Sequence, residues 1–141
     1  RSIRHLVAQA SGIFSVKESR LLADVKKGKT SWFRFAPVED PEKELTRYVS
    51  LYREGLVSPM LAFPSSSFKY QSAIIDGENE DDALMKAASE FEGSDYSPYS
   101  ENMDFSVALI LGEGAPFKKE YLHPRFLAGI EVMIENCEEL R

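Results

Sequence analysis

The stretch that decides the fold runs from residue 19 to residue 36 and reads Ser-Arg-Leu-Leu-Ala-Asp-Val-Lys-Lys-Gly-Lys-Thr-Ser-Trp-Phe-Arg-Phe-Ala. Two runs with β-strand composition, Ser19–Val25 and Ser31–Ala36, flank a short segment that contains Gly28. Such runs around a glycine-containing turn are typical of a β-hairpin. The tip of this hairpin is basic and holds Lys26, Lys27 and Lys29.

Helical patterns lie on both sides of the hairpin. Apolar residues at helical spacing predict a helix over residues 2–11. After the hairpin, Asp40-Pro41-Glu42 is a helix start, because Asp caps free N–H groups, Pro suits the first turn and Glu favours the positive end of the helix dipole. This helix should end near Gly55 and carry an apolar stripe of Leu45, Tyr48, Val49, Tyr52 and Leu56.

The rest of the chain predicts more helices and one more strand. Prolines and the Ser65–Ser67 run indicate an irregular connection over residues 57–69, and a helix is expected between Asn79 and Gly93, followed by a loop over Ser94–Asn102. The uncharged run Phe105–Leu111 predicts a buried central strand. A last helix should open near Pro124 and continue through Leu140. The expected fold class is therefore α/β (α+β), a small sheet with a hairpin, flanked by helices.

Composition limits the class of protein. With 141 residues, 43% of them hydrophobic and 28% charged, the chain is expected to form one domain over residues 1–141. A single cysteine excludes an internal disulfide and favours a reducing compartment, so a cytoplasmic location is predicted. No apolar run reaches the length of a membrane span, so no membrane partner is expected. The first residue is Arg, which suggests a segment of a longer protein.

The charge is unevenly distributed along the chain. The formal net charge is −6, but residues 1–36 carry +6 and the remaining residues carry −12. The overall acidity disfavours a protein that coats DNA on its own, because duplex affinity comes largely from clustered cations. Such asymmetry often marks surfaces that face partners.

Catalytic chemistry is hard to assemble from this sequence. The chain has two histidines, His5 and His123, and its cysteine Cys137 falls on the apolar stripe of the predicted last helix. A structural role is the better interpretation of all three, and there is no phosphate-binding glycine motif. We therefore predict no catalytic residue, no metal ligand and no cofactor.

Two alternatives remain open. Asp24-Val25-Lys26 matches the end of the pattern with which PD-(D/E)XK nucleases hold Mg²⁺, although no earlier strand supplies a first Asp. The second alternative is a nucleic-acid-binding module, in which lysines at the hairpin tip contact phosphates and a nearby aromatic ring stacks on a base. The candidate contacts are Lys26, Lys27 and Lys29, with Trp32, Phe33 or Phe35 for stacking.

Several short motifs resemble a known family when taken in order. They are Phe35-Ala36-Pro37-Val38, Leu51-Tyr52-Arg53-Glu54-Gly55-Leu56, Ser58-Pro59-Met60 and Phe63-Pro64-Ser65-Ser66-Ser67. Together with the order of elements downstream, over residues 32–134, they resemble the C-terminal domain of RecC, the gamma subunit of exodeoxyribonuclease V. Where that family often has a basic residue before the paired serines, this chain has Ser65, which weakens the case for a phosphate contact there.

The resemblance implies a fold and a role. The fold would be a degenerate PD-(D/E)XK nuclease-like one whose metal-carrying strands lie before Arg1. The domain itself would be non-catalytic, a scaffold in a helicase–nuclease complex that acts in DNA double-strand break repair by homologous recombination. Its partners would be RecB-like and RecD-like subunits, and DNA through the parent complex.

Overall fold

The computed structural model describes residues 2–12, 17–26, 29–58, 60–93 and 100–140. The chain divides into two compact units, the first formed by Arg1–Val57 with Val132–Arg141 and the second by Ser58–Glu131. The prediction of a single domain stays a prediction. Within the described ranges, no helix has both the length and the apolar character that crossing a bilayer would require. Mixed helices and a small antiparallel sheet confirm the α+β class.

The predicted hairpin is present in the first unit. Strand β1 (Ser19–Lys26) pairs antiparallel with β2 (Lys29–Phe35). A third strand, β3 (Cys137–Leu140), pairs with the other edge of β2, so β2 is the central strand. The prediction of a helix continuing through Leu140 was therefore wrong. The backbone N–H of Ala36 donates to the carbonyl of Asn136 at 2.8 Å, which brings the chain end to the sheet.

A buried histidine joins the first helix to both strands of the hairpin. Helix α1 (Ser2–Ala10) carries His5, which is 4% exposed. Its Nε2 donates to the carbonyl of Ala36 at 3.0 Å, since a carbonyl can only accept, and in the neutral ring Nδ1 then accepts the Ser19 hydroxyl at 2.7 Å. The His5 ring also lies 6.1 Å from that of Phe35. These contacts bind α1 to one face of the sheet.

Helix α2 (Pro41–Val57) begins as predicted and ends later than predicted. The Asp40 carboxylate accepts the N–H of Lys43 at 3.0 Å, which confirms the cap. The helix passes through Gly55, since one interior glycine costs a helix only about 1 kcal/mol. The predicted apolar stripe is only partly buried, because Tyr52 and Leu56 are 69% and 68% exposed.

An ion pair lies on the buried side of α2. Glu44 is buried, and its Oε2 lies 2.8 Å from Nη1 of Arg47, one turn further along the helix. Burial raises the pKa of the neighbouring Tyr48 phenol above its usual value of 10.0, and the negative charge of Glu44 raises it further, while Arg47 opposes the rise. The environment therefore favours the neutral phenol.

This shift makes stability depend on pH in the alkaline range. Because the folded state holds the Tyr48 proton more tightly than the unfolded state, the contribution is complete below pH 10.0 and is lost as the pH rises through the folded-state pKa. We expect wild type to lose stability relative to Tyr48→Phe above pH 10.0, measured by denaturant unfolding. The exposed Tyr52→Phe is the control, and parallel curves for wild type and Tyr48→Phe would contradict the prediction.

In the second unit, the segment predicted to be irregular contains the start of a helix. Helix α3 (Pro64–Ile75) begins with Pro at its first position and packs against α4 (Glu80–Glu92). Ser66 and Ser67 are fully buried, as are Ala83 and Ala87 of α4. The prediction of an irregular connection over residues 57–69 was therefore wrong from residue 64 onward, where the serines are buried within a helix and not exposed in a loop. Helix α4 confirms the prediction, since the Asn79 side chain accepts the N–H of Asp82 at 2.9 Å.

The predicted central strand is helix α5 (Phe105–Leu111), and that prediction was wrong. The Asp104 side chain accepts the N–H of Ser106 at 2.8 Å, and Gly112, with φ of 92°, ends the helix in a conformation that favours glycine. These two capping residues thus make the run a helix, although its composition also suits a strand.

Helix α6 (Pro124–Glu135) follows α5, and the boundary between the two compact units falls inside it.

An aromatic cluster forms the core of the second unit. The Phe91 ring is fully buried, with its centroid 4.9 Å from that of Phe63, 5.6 Å from that of Tyr121 and 5.7 Å from that of Phe117. Edge-to-face and tilted packing at these separations is favourable between aromatic rings. The ring positions come from four different places in the chain, so this cluster ties the unit together.

Candidate interaction surfaces

The first candidate surface is the basic hairpin tip. Lys26 ends β1 and lies opposite Lys29, the first residue of β2. Lys27 and Gly28 lie outside the described residues, as do residues 13–16. The register therefore brings two of the three predicted lysines to neighbouring backbone positions at the same end of the sheet.

Of the three aromatic candidates for base stacking, one is well placed. Trp32 is 50% exposed, and it lies between Leu22 of β1 and Leu140 of β3 in the register of the sheet. Phe35, by contrast, packs near His5, and Phe33 points to the face opposite Trp32 because neighbouring residues alternate along a strand. Trp32 itself lies three residues, about 10 Å along the strand, from the start of β2 at the hairpin tip.

Arginines on the same sheet face are already paired. Arg34 lies opposite Glu138 in the register, and its Nη2 is 2.5 Å from the Glu138 Oε2. Arg20 pairs with Glu18 at 2.8 Å. Both of these arginines are therefore matched by carboxylates.

The residues proposed for the alternative nuclease chemistry lie at an irregular point of β1. The pairing with β2 shifts register between Asp24 and Lys26. A bulge interrupts the alternation that places residues two apart on one face of a strand, so the register gives this site no support. Among the residues that the structure describes, no three His, Cys, Asp or Glu converge in a way that could hold a metal ion.

The cysteine is placed differently from the prediction. Cys137 lies on β3 opposite Phe35 rather than on a helix, because α6 ends at Glu135. It is partly buried, and burial raises the pKa of its thiol above the usual 9.0. The protonated thiol is therefore favoured, and a thiolate nucleophile is disfavoured at this position.

A distant carboxylate caps the start of α3. Glu101, in a single 3₁₀ turn (Glu101–Met103), accepts the backbone N–H of Ser65 at 2.8 Å and that of Ser66 at 3.0 Å, and it also accepts the Ser66 hydroxyl. Free N–H groups at a helix start are a ready anion site. Here the protein's own carboxylate fills it, so the Phe63–Ser67 element is capped internally.

The second candidate surface is the outer face of α5. Val107 and Leu111, four residues apart, pack against the aromatic cluster. Phe105 and Leu109, also four apart, lie about 200° round the helix from them and are 79% and 75% exposed. Ile110 is also exposed, as is the preceding Met103. None of the seven residues of α5 is fully buried.

Two cavities flank this helix. One, of about 320 Å³, is lined by Met60, Leu61 and Phe63 on one side and by Val107, Ile110 and Leu111 on the other. The other, of about 440 Å³, is lined by Met103, Phe105, Ala108 and Leu109. Both lie within the second unit. Because Phe105 and Leu109 line only the second cavity, we call the outer face of α5 with that second cavity the α5 surface.

Sequence reasoning missed the α5 surface because it took the absence of charge in Phe105–Leu111 as a sign of burial. The flanking Asp104 and Gly112 were a signal for a short capped helix. A seven-residue helix cannot bury residues on all sides of its axis with one packing partner. An uncharged helix of this length therefore had to leave apolar side chains outside.

A comparison with protein families finds one match in the chain. The family model described as the RecC C-terminal domain matches residues 2–75. This range contains the whole of α1, β1, β2, α2 and α3, and it is slightly more than half of the chain. Comparisons with curated proteins and with solved structures found no match.

Proposed function

The chain belongs to the RecC C-terminal domain family, and on that premise we propose that it is a non-catalytic scaffold and interaction domain of a RecBCD-type helicase–nuclease complex. RecC is the gamma subunit of exodeoxyribonuclease V and is not its catalytic subunit. The proposed process is repair of DNA double-strand breaks by homologous recombination, and the proposed location is the cytoplasm. The observation that carries the proposal is the family match over residues 2–75.

Exposed apolar side chains support an interaction role. In the first unit, Tyr52, Leu56 and Val57 of α2 are 69%, 68% and 89% exposed. In the second unit, the α5 surface exposes several more. Large exposed apolar patches on a folded protein commonly mark sites that bind other proteins. The degenerate nuclease-like fold implied by the family remains part of the proposal.

Co-purification tests the proposal. The full-length parent chain is expressed with RecB-like and RecD-like helicase subunits, and we expect it to co-purify with both. Leu56→Asp, on the exposed end of α2, is expected to lower the yield of at least one partner, while Met85→Asp, 64% exposed on α4, serves as the matched control. A parent chain that bound neither helicase subunit would overturn the proposal.

A second candidate function is nucleic-acid binding through the hairpin, favoured by the exposed Trp32 on the same hairpin whose tip carries Lys26 and Lys29. The test compares the parent chain with its Lys26/Lys27/Lys29 triple alanine variant. If the lysines contact phosphates, the slope of log affinity against log salt should fall in magnitude by about 0.7–0.9 for each lost contact. An unchanged slope would reject contacts at the tip.

A further inference from the structure

We infer that the α5 surface is the docking site for a basic amphipathic helix of a protein partner. The inference deepens the proposed function and rests on it, since it names the kind of partner element that the scaffold would receive. The apolar sequence of α5 does not match its exposed environment. Seven consecutive uncharged residues, Phe105–Leu111, normally signal burial, but none of them is fully buried within this chain.

The shape of the surface fits a helix. The outer side chains of α5 form a ridge that is about 10 Å long for seven residues. The ridge residues Phe105 and Leu109 line the 440 Å³ cavity on this outer face, whereas the 320 Å³ cavity lies on the opposite side of the helix, beside Val107 and Leu111. An amphipathic helix places apolar side chains at spacings of three and four, and these can enter a groove of this kind. The outer cavity provides space for such side chains, while Phe105 and Leu109 offer the central apolar contact that interfaces concentrate.

The charges around the surface determine the class of partner. Glu113 lines the outer cavity, and Asp104 is the N-cap residue of α5. Asp104 and Glu113 are exposed and lie near the two ends of α5. Among the described residues that line either cavity there is no Lys or Arg. An apolar centre with an acidic rim therefore favours a partner with an apolar stripe and cationic flanks.

The wider charge of the unit agrees with this assignment. Residues 58–131 contain thirteen acidic and five basic side chains, which gives a formal charge of −8. A negative field of this kind repels nucleic acid and anionic lipid surfaces and attracts basic segments. A second copy of the same surface would bring like charges together. Among the candidate occupants, a basic protein helix is the one that matches both the apolar centre and the acidic rim.

The direct test uses a peptide probe and the full-length parent chain. The probe is a peptide of about 18 residues, five helical turns, with Leu at spacings of three and four and Lys on the flanks. A second peptide keeps the Leu positions and has Glu in place of Lys. By fluorescence anisotropy, we expect the Lys peptide to bind at least about tenfold more tightly than the Glu peptide. Equal binding of the two peptides, or no binding of either, would overturn the inference.

Two variants locate the binding. Leu109→Asp should weaken binding of the Lys peptide by about tenfold or more, while Met85→Asp, an equally exposed apolar-to-acid change on α4, should leave it unchanged. Both side chains are more than 60% exposed, and circular dichroism checks that both variants fold. Binding that is insensitive to Leu109→Asp would place the peptide elsewhere and reject the α5 surface.

The reconstituted complex separates this inference from the proposed function. A photocrosslinker at position 109 of the parent chain should capture a helical, net positively charged segment of one helicase subunit. Capture of an acidic segment, of DNA or of a second copy would overturn the inference while the proposed function stands. Failure of the parent to bind either helicase would overturn the proposed function, and the peptide measurements would still decide the chemistry of the surface.

Discussion

Phe91→Ala is expected to lower the free energy of unfolding by about 3–5 kcal/mol, the usual cost of removing a fully buried phenylalanine ring. Phe91 is 0% exposed, and its ring lies within 6 Å, centroid to centroid, of those of Phe63, Phe117 and Tyr121. The substitution leaves a cavity at the centre of the cluster and removes its aromatic contacts. Because α5 packs on this cluster through Val107 and Leu111, the α5 surface should lose its shape as well.

Denaturant unfolding followed by near-ultraviolet circular dichroism measures the effect. The matched control is Phe68→Ala on α3. It is the same substitution in the same unit, but at a side chain that is 47% exposed. We expect the control to cost less than half as much as Phe91→Ala. Equal costs for the two variants would mean that the aromatic cluster is not the core of the second unit.

Local signals in the sequence predicted the elements whose determinants lie close together in the chain. Asp40 caps α2 and Asn79 caps α4, and in each case the cap and the helix that it starts are neighbours in sequence. The hairpin was predictable for the same reason, because its two strands and its turn are contiguous. In these cases the residues next to an element were enough to predict where it begins.

Two of the predictions that were wrong concern elements fixed by distant parts of the chain. β3 exists because residues 137–140 pair with β2, about a hundred residues earlier, and four residues are too few to show the alternation of a strand. The start of α3 has no side-chain cap from its own N-cap residue Phe63, since its capping carboxylate comes from Glu101. The helical spacing of the last segment could not reveal its pairing with β2, and the serine content of residues 65–67 could not reveal the cap from Glu101.

Of the two candidate surfaces, one could be predicted from the sequence and the other could not. The basic residues at the hairpin tip were evident from the sequence, and the structure adds that Trp32, and not Phe35, is the exposed ring on the same hairpin. The α5 surface was hidden, because the same seven residues could have formed a buried strand. The local caps Asp104 and Gly112 favour the helix, but which of its side chains stay exposed depends on the tertiary fold.

Glu101→Ala is expected to destabilise the protein by about 2–3 kcal/mol, because it removes a charged acceptor from several donors at once. Ser66 is fully buried, so both its N–H and its hydroxyl would lose their acceptor away from water, while the exposed Ser65 can turn to solvent. Glu101→Gln keeps one oxygen acceptor and should fall between the alanine variant and wild type. Glu113→Ala, an exposed glutamate in the same unit, should change the free energy of unfolding by less than about 0.5 kcal/mol.

A double-mutant cycle with Ser66→Ala isolates the contact itself. Since the Ser66 hydroxyl donates to the Glu101 carboxylate, each substitution should cost less in the presence of the other, with a coupling energy of about 1 kcal/mol or more. Additive costs would show that the two side chains stabilise the protein independently, and the internal cap of α3 would then be wrong. A measured coupling would instead mean that the two segments, although 35 residues apart in sequence, are held together by a carboxylate in the position that an external anion would otherwise take.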